Sequence, residues 1–247
     1  MRSVIIGIVA CLLINISSVF AGNDGLPGSS VEVTYEKAIS SLKKGILENP
    51  DDMVSHQTLA QLYLMNDNFG EAIAEANWIL VKDPKSLFAL SVLMSGYMGM
   101  DQYDKSIEAG KRMLLIEDRI ASVYNMMGEN YKSKKEYEKA IEYYSKGINL
   151  APTDMVARNN LCICYLKVDN IPKALSVTLE SVNIDKENSF ALYILARVYA
   201  RKGDSENAIN WLKKAIAKKD KFKDEAKRES DFSKLQKLKE YQELIVQ

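Results

Sequence analysis

Residues 121–154 read ASVYNMMGENYKSKKEYEKAIEYYSKGINLAPTD. Tyr124, Met127, Gly128 and Tyr131 fall at i, i+3, i+4 and i+7, the spacing that sets side chains on one face of an α-helix. Tyr137, Ala140, Ile141, Tyr144 and Ile148 do the same for a second helix. Between the runs lies a short polar stretch, 132–136. After them comes Pro152, which cannot continue a helix. The stretch is one helix–turn–helix unit of 34 residues. Its eighth residue, Gly128, is small because the two helices approach there, and Ala140 is expected to face it. Tyr131 and Tyr144 are expected to fill the wider gaps above and below.

Stepping by 34 residues in either direction reproduces the unit. The small column reads Ala60, Met94, Gly128, Cys162 and Ala196. The tyrosine column, Tyr63, Tyr97, Tyr131, Tyr165 and Tyr199, is unbroken. The small column of the second helix reads Ala72, Ser106, Ala140, Ala174 and Ala208, and the closing proline recurs as Pro84 and Pro152. Five repeats follow without a gap, 53–86, 87–120, 121–154, 155–188 and 189–222. One helix pair cannot bury its apolar face alone, so neighbouring pairs must stack on it.

The order aromatic, large apolar, Gly, Tyr, then Ala, aromatic and Pro resembles the tetratricopeptide repeat family. The resemblance implies an all-α, right-handed α-solenoid of less than one superhelical turn, with capping helices at both ends. It also implies a protein that acts by binding. In that family the first helices line an inner groove at fixed positions. Carried over residue by residue, these positions nominate Phe88 in repeat two, Asn125 in repeat three, and Asn159 and Lys167 in repeat four. In repeat five they nominate Phe190, Tyr193, Arg197 and Arg201. The repeat-five residues recur at three- to four-residue steps and share one face. Two apolar aromatics beside two arginines suit an acidic or C-terminal peptide with an apolar anchor. The competing reading is that the arginines solvate the groove or pair with acids of the terminal helix such as Glu240. The first two repeats present uncharged rows around Met65 and Phe88. The Lys/Asn/Arg clamp by which some family members hold a chaperone's C-terminus is not met, and Glu129 intrudes on it.

Outside the repeats, Arg2 precedes the apolar run Val4–Ile16, and small residues follow up to Ala21. The order charged, apolar, small is that of a secretory signal peptide, 1–21, cut after Ala21. The alternatives are an uncleaved anchor or a lipoprotein signal at Cys11, and membrane contact is expected only in those cases. Residues 22–30 read as a flexible linker and 31–52 as a half-repeat helix covering the open edge of repeat one. Residues 223–247, with Phe232, Leu235, Leu238, Tyr241 and Ile245 at roughly helical spacing, read as a single capping helix.

The 247 residues carry 33 basic and 33 acidic side chains, so no basic excess suits a nucleic acid. Cys162 and Cys164 sit two apart on a helix and point nearly opposite ways, which suits structure over redox or metal work. His56 has no companion cluster, so a zinc site is not expected. No phosphate-binding loop, nucleophile elbow or zinc-hydrolase motif occurs. The expectation is therefore no enzyme, no cofactor, no metal and no small-molecule substrate. The expected protein is an exported binding scaffold, periplasmic or secreted, holding a partner peptide or helix in bacterial envelope assembly or secretion. A self-associating assembly protein and a regulatory subunit of an envelope enzyme are the alternatives.

Overall fold

The computed structural model describes residues 28–246, and the regular elements among them are helical. The signal-peptide expectation over 1–21, the Cys11 alternative and most of the expected linker lie outside the described residues. The chain divides into two compact units at Val123/Tyr124. Unit one holds α1 (Gly28–Glu48), α2 (Met53–Met65), α3 (Phe69–Lys82), α4 (Leu87–Gly99) and α5 (Tyr103–Ile116). The unit boundary falls in the first turn of α6 (Ala121–Ser133). Unit two continues with α7 (Tyr137–Leu150), α8 (Met155–Lys167), α9 (Ile171–Ile184), α10 (Ser189–Lys202) and α11 (Ser205–Lys218). It ends with α12 (Phe222–Arg228), a 3-10 segment Ser230–Leu235, and α13 (Lys239–Val246). Within each unit consecutive helices pack as antiparallel pairs, and each pair packs on the next, the arrangement of a helical-repeat solenoid.

The 34-residue period has physical causes that recur at fixed places. Asp52, Ser86, Asp154 and Asn188 each precede a first helix, and each side chain accepts an N–H from its first turn. Each first helix ends on a left-handed residue: Asp67, Asp101, Lys135 and Asp169 have φ between 57° and 62°, and Gly203 has 86°. The following N–H then reaches back to the carbonyl of Tyr63, Tyr97, Tyr131, Tyr165 or Tyr199, at 2.8–2.9 Å. This closing bond satisfies a helix-end carbonyl and turns the chain into the second helix. The tyrosine rings add a second contact. Lys105, Lys139 and Lys173 stand 5.3, 5.4 and 5.8 Å over the rings of Tyr97, Tyr131 and Tyr165, within cation–π reach.

Of the five left-handed residues, Lys135 is the least suited to its conformation, since Asp tolerates it and Gly has no Cβ to strain. Lys135→Gly is expected to stabilise the protein by about 1 kcal/mol. Chemical denaturation of the two proteins checks this, and a lower midpoint for the glycine variant would contradict it.

Three expectations are corrected. A Cβ at Gly128 would meet the Tyr144 ring at 2.9 Å, so the tyrosine, and not Ala140, is what presses on that glycine. Helix α1 begins at Gly28, inside the stretch expected as linker. The C-terminal cap is two short helices joined by a 3-10 segment instead of one helix. The reason is in the spacing: Phe232, Leu235 and Leu238 step by three, the period of a 3-10 helix. Glu229 starts that segment by accepting the Asp231 N–H at 3.4 Å.

Candidate functional site

The α10 face predicted to be an open groove is covered. Tyr193 is 3% exposed, stacked on Phe222 at 4.7 Å and met edge-on by Phe232 at 5.9 Å. Phe190 is half-buried beside both Tyr193 and Phe222. Phe222, Phe232, Leu235 and Tyr241 are each at most 1% exposed, so the C-terminal segment forms one core with α10 and α11. Arg197 donates from Nε to Asp231 at 2.9 Å and pairs with Glu229 at 3.1 Å. Arg201 donates to the other Asp231 oxygen at 3.0 Å and to Asp169 at 2.6 Å.

The four repeat-five candidates are thus satisfied within the chain, and the reading of them as a free peptide site is withdrawn. The acids are Asp231 and Glu229 of the C-terminal segment and Asp169 of the preceding repeat, and the expected Glu240 is not one of these three. Burial of the Tyr193, Phe222 and Phe232 rings favours covering that face, and the ion pairs leave neither arginine without a partner. Sequence reasoning missed Asp231, although one more 34-residue step past Arg197 lands on it.

The other candidates are dispersed. Asn125 donates to Asp154 at 2.7 Å, which ties it to the cap of α8, while its own carbonyl oxygen is buried without a partner. Glu129 is the hub of a network: Tyr144 Oη donates to it at 2.7 Å, Lys132 at 2.8 Å and Asn160 at 3.2 Å. Burial and the Glu129 carboxylate push the Tyr144 hydroxyl well above the ordinary tyrosine range. Asn159 is buried and Lys167 is exposed. Phe88 lies in unit one, apart in sequence and unit from the rest.

In unit one the first helices α2 and α4 touch directly. Their shared row is uncharged, as the sequence indicated. Val54 is 65% exposed, Met65 is 39% exposed, and Phe88 is half-buried. Val156, at the corresponding position of repeat four, is 57% exposed as well.

Cys162 and Cys164 are free, buried thiols, and burial pushes both up to about 12. Cys162 sits 2.7 Å from the Thr178 hydroxyl, a structural contact of the small column. Among the described residues no group of three or more His, Cys, Asp and Glu could hold a metal ion, and no helix is long and apolar enough to cross a membrane.

Residues 121–154 and 191–226 match the family described as Tetratricopeptide repeat. The chain therefore carries tetratricopeptide repeats, and its helical pairs are the architecture of that class. Solved structures share the fold. A MamA crystal structure is 23% identical with a TM-score of 0.62, covering 66% of this chain and 95% of that one. YrrB, described as a TPR protein with an unusual peptide-binding site, is 21% identical with a TM-score of 0.61, covering 74% and 94%. A MamA chain from Desulfovibrio magneticus RS-1 is 16% identical with a TM-score of 0.64, covering 69% and 97%. At these identities the likeness concerns the fold. No curated protein sequence matches the chain.

Proposed function

We propose that the protein is an exported scaffold that binds an apolar segment of a partner protein along the first helices of unit one. The observation that carries this reading is the uncharged row on α2 and α4, with Val54 and Met65 exposed and Phe88 half-exposed. A methionine on such a row adapts to varied apolar surfaces, and an aromatic supplies rigid contact area. YrrB, of the same fold, is a precedent for peptide binding. Export rests on the charged, apolar, small order of residues 1–21, and the setting is the periplasm or exterior of a bacterial envelope.

The test uses the mature chain as bait in an envelope fraction, with a photo-crosslinking side chain at position 65. Crosslinks are expected there, and Met65→Glu with Phe88→Glu is expected to abolish capture while helicity is kept. Undiminished capture by that double variant would refute the site. N-terminal sequencing of exported material is expected to begin at Gly22; a start at Met1 would refute cleavage.

One observation favours self-association as the second reading. Leu47, Val81 and Leu115 are 82%, 78% and 87% exposed and recur at the 34-residue step near the ends of α1, α3 and α5. Size-exclusion over a range of concentrations separates the two readings, with a monomer favouring the scaffold.

A further inference from the structure

His56, Arg158 and Leu192 hold the fourth position of repeats one, four and five. In repeat one the His56 ring stacks on Trp78 at 3.6 Å. One ring nitrogen lies 3.2 Å from the Pro50 carbonyl oxygen and the other 2.5 Å from Glu75. In repeat four Arg158 donates to the Pro152 carbonyl oxygen at 2.6 Å and to Glu180 at 3.1 Å. The two residues are 6% and 7% exposed. Each fills the notch between the second helix of its own repeat and the end of the second helix before it. Each does so as a nitrogen-bearing side chain reaching a carbonyl and a carboxylate.

Repeats two, three and five lack this plug, their fourth residues being Leu90, Tyr124 and Leu192. In repeat five Leu192 has no polar end to reach across. One repeat on from Pro152 and Glu180 stand Lys186 and Lys214. Between α9 and α11 the notch is open, a cleft of about 390 Å³. Val182, Leu192 and Trp211 give it an apolar floor, and Lys186, Lys214 and Lys218 line it with charge. Lys214 Nζ lies 3.9 Å over the Trp211 ring. Glu187, the acid lining the cleft, is paired with Lys218. Where the chain plugs this notch itself, a nitrogen donor meets a carboxylate wall. Here the wall residue is a lysine, so the complementary occupant is anionic, and the apolar floor requires that it also bring apolar area.

We propose that the α9–α11 cleft binds an acidic peptide segment of a partner protein, one large apolar side chain entering the cleft and flanking carboxylates meeting Lys186 and Lys214, while Lys218 is held by Glu187. The site lies between the second helices α9 and α11, with Leu192 of α10 in its floor, and does not depend on the first-helix face of unit one.

The chain has two tryptophans, so Trp78→Phe leaves Trp211 as the single reporter. The probe is a synthetic peptide with one Phe flanked on both sides by Asp and Glu. A saturable change in Trp211 emission is expected, weakening as salt rises. Binding is expected to fall about tenfold or more when the Phe is replaced by Ala, when the acids are replaced by Lys, or when the protein carries Lys214→Glu with Lys218→Glu. Those two lysines are at the surface, so circular dichroism should be unchanged in that variant. Leu192→Arg with Lys214→Glu copies the repeat-four plug and is expected to abolish binding. Absence of a saturable response, equal affinity for the lysine peptide, or undiminished affinity in the Lys214→Glu, Lys218→Glu variant would each overturn the proposal.

Discussion

Gly128→Leu is expected to destabilise the protein by about 3 kcal/mol or more, lowering its melting temperature by about 6–12 °C. A Cβ alone at this position meets three atoms of the Tyr144 ring at 2.9–3.0 Å. The ring cannot give way. Tyr144 is 1% exposed, and its hydroxyl is held by Glu129, which Lys132 and Asn160 also hold. The added side chain must therefore push α6 and α7 apart or break the Glu129 network. Gly70→Leu is the control, because a Cβ at Gly70 has nothing within 4 Å. Thermal unfolding followed by circular dichroism reads both variants. Equal melting temperatures for Gly128→Leu and the parent would mean that Tyr144 does not press on that position.

Asp231→Ala is expected to cost about 3 kcal/mol, because it takes from the buried Arg197 its nearest carboxylate, while the partly exposed Arg201 keeps Asp169. Glu229 still pairs with Arg197 and moderates the loss. The charge reversal Arg197→Glu with Arg201→Glu sets like charges against Asp231 and Glu229. It is therefore expected to detach the C-terminal segment and expose Tyr193, Phe232 and Tyr241. Limited proteolysis should then cut within residues 222–246, where the parent resists. A resistant, fully helical charge-reversal variant would show that the ion pairs do not hold the segment. Partial recovery by Arg197→Met on the Asp231→Ala background would separate the cost of an uncompensated charge from that of lost contacts.

The repeat architecture was legible because it is built from local terms. Helix spacing, the capping residues at 52, 86, 154 and 188, and the tyrosine carbonyl that closes each first helix act within a few residues of chain. Such terms recur wherever the 34-residue unit recurs, so a periodic sequence displays them directly. The uncharged row of α2 and α4 was legible for the same reason, since position within a helix sets which residues share a face.

What covers a face is not periodic, and only the tertiary structure decided it. The register placed Tyr193, Arg197 and Arg201 on one side of α10, but it could not say that Phe222, Asp231 and Phe232 would fold back onto that side. The same limit explains the notch. Position four is one column in the sequence, yet whether it is plugged or open depends on a side chain's reach across to residues of neighbouring helices. His56 and Arg158 reach a carbonyl and a carboxylate, whereas Leu192 cannot. Local propensity and spacing determine which helices form and how they pair. Burial, charge pairing and reach between distant residues determine which of their faces remain open for a partner.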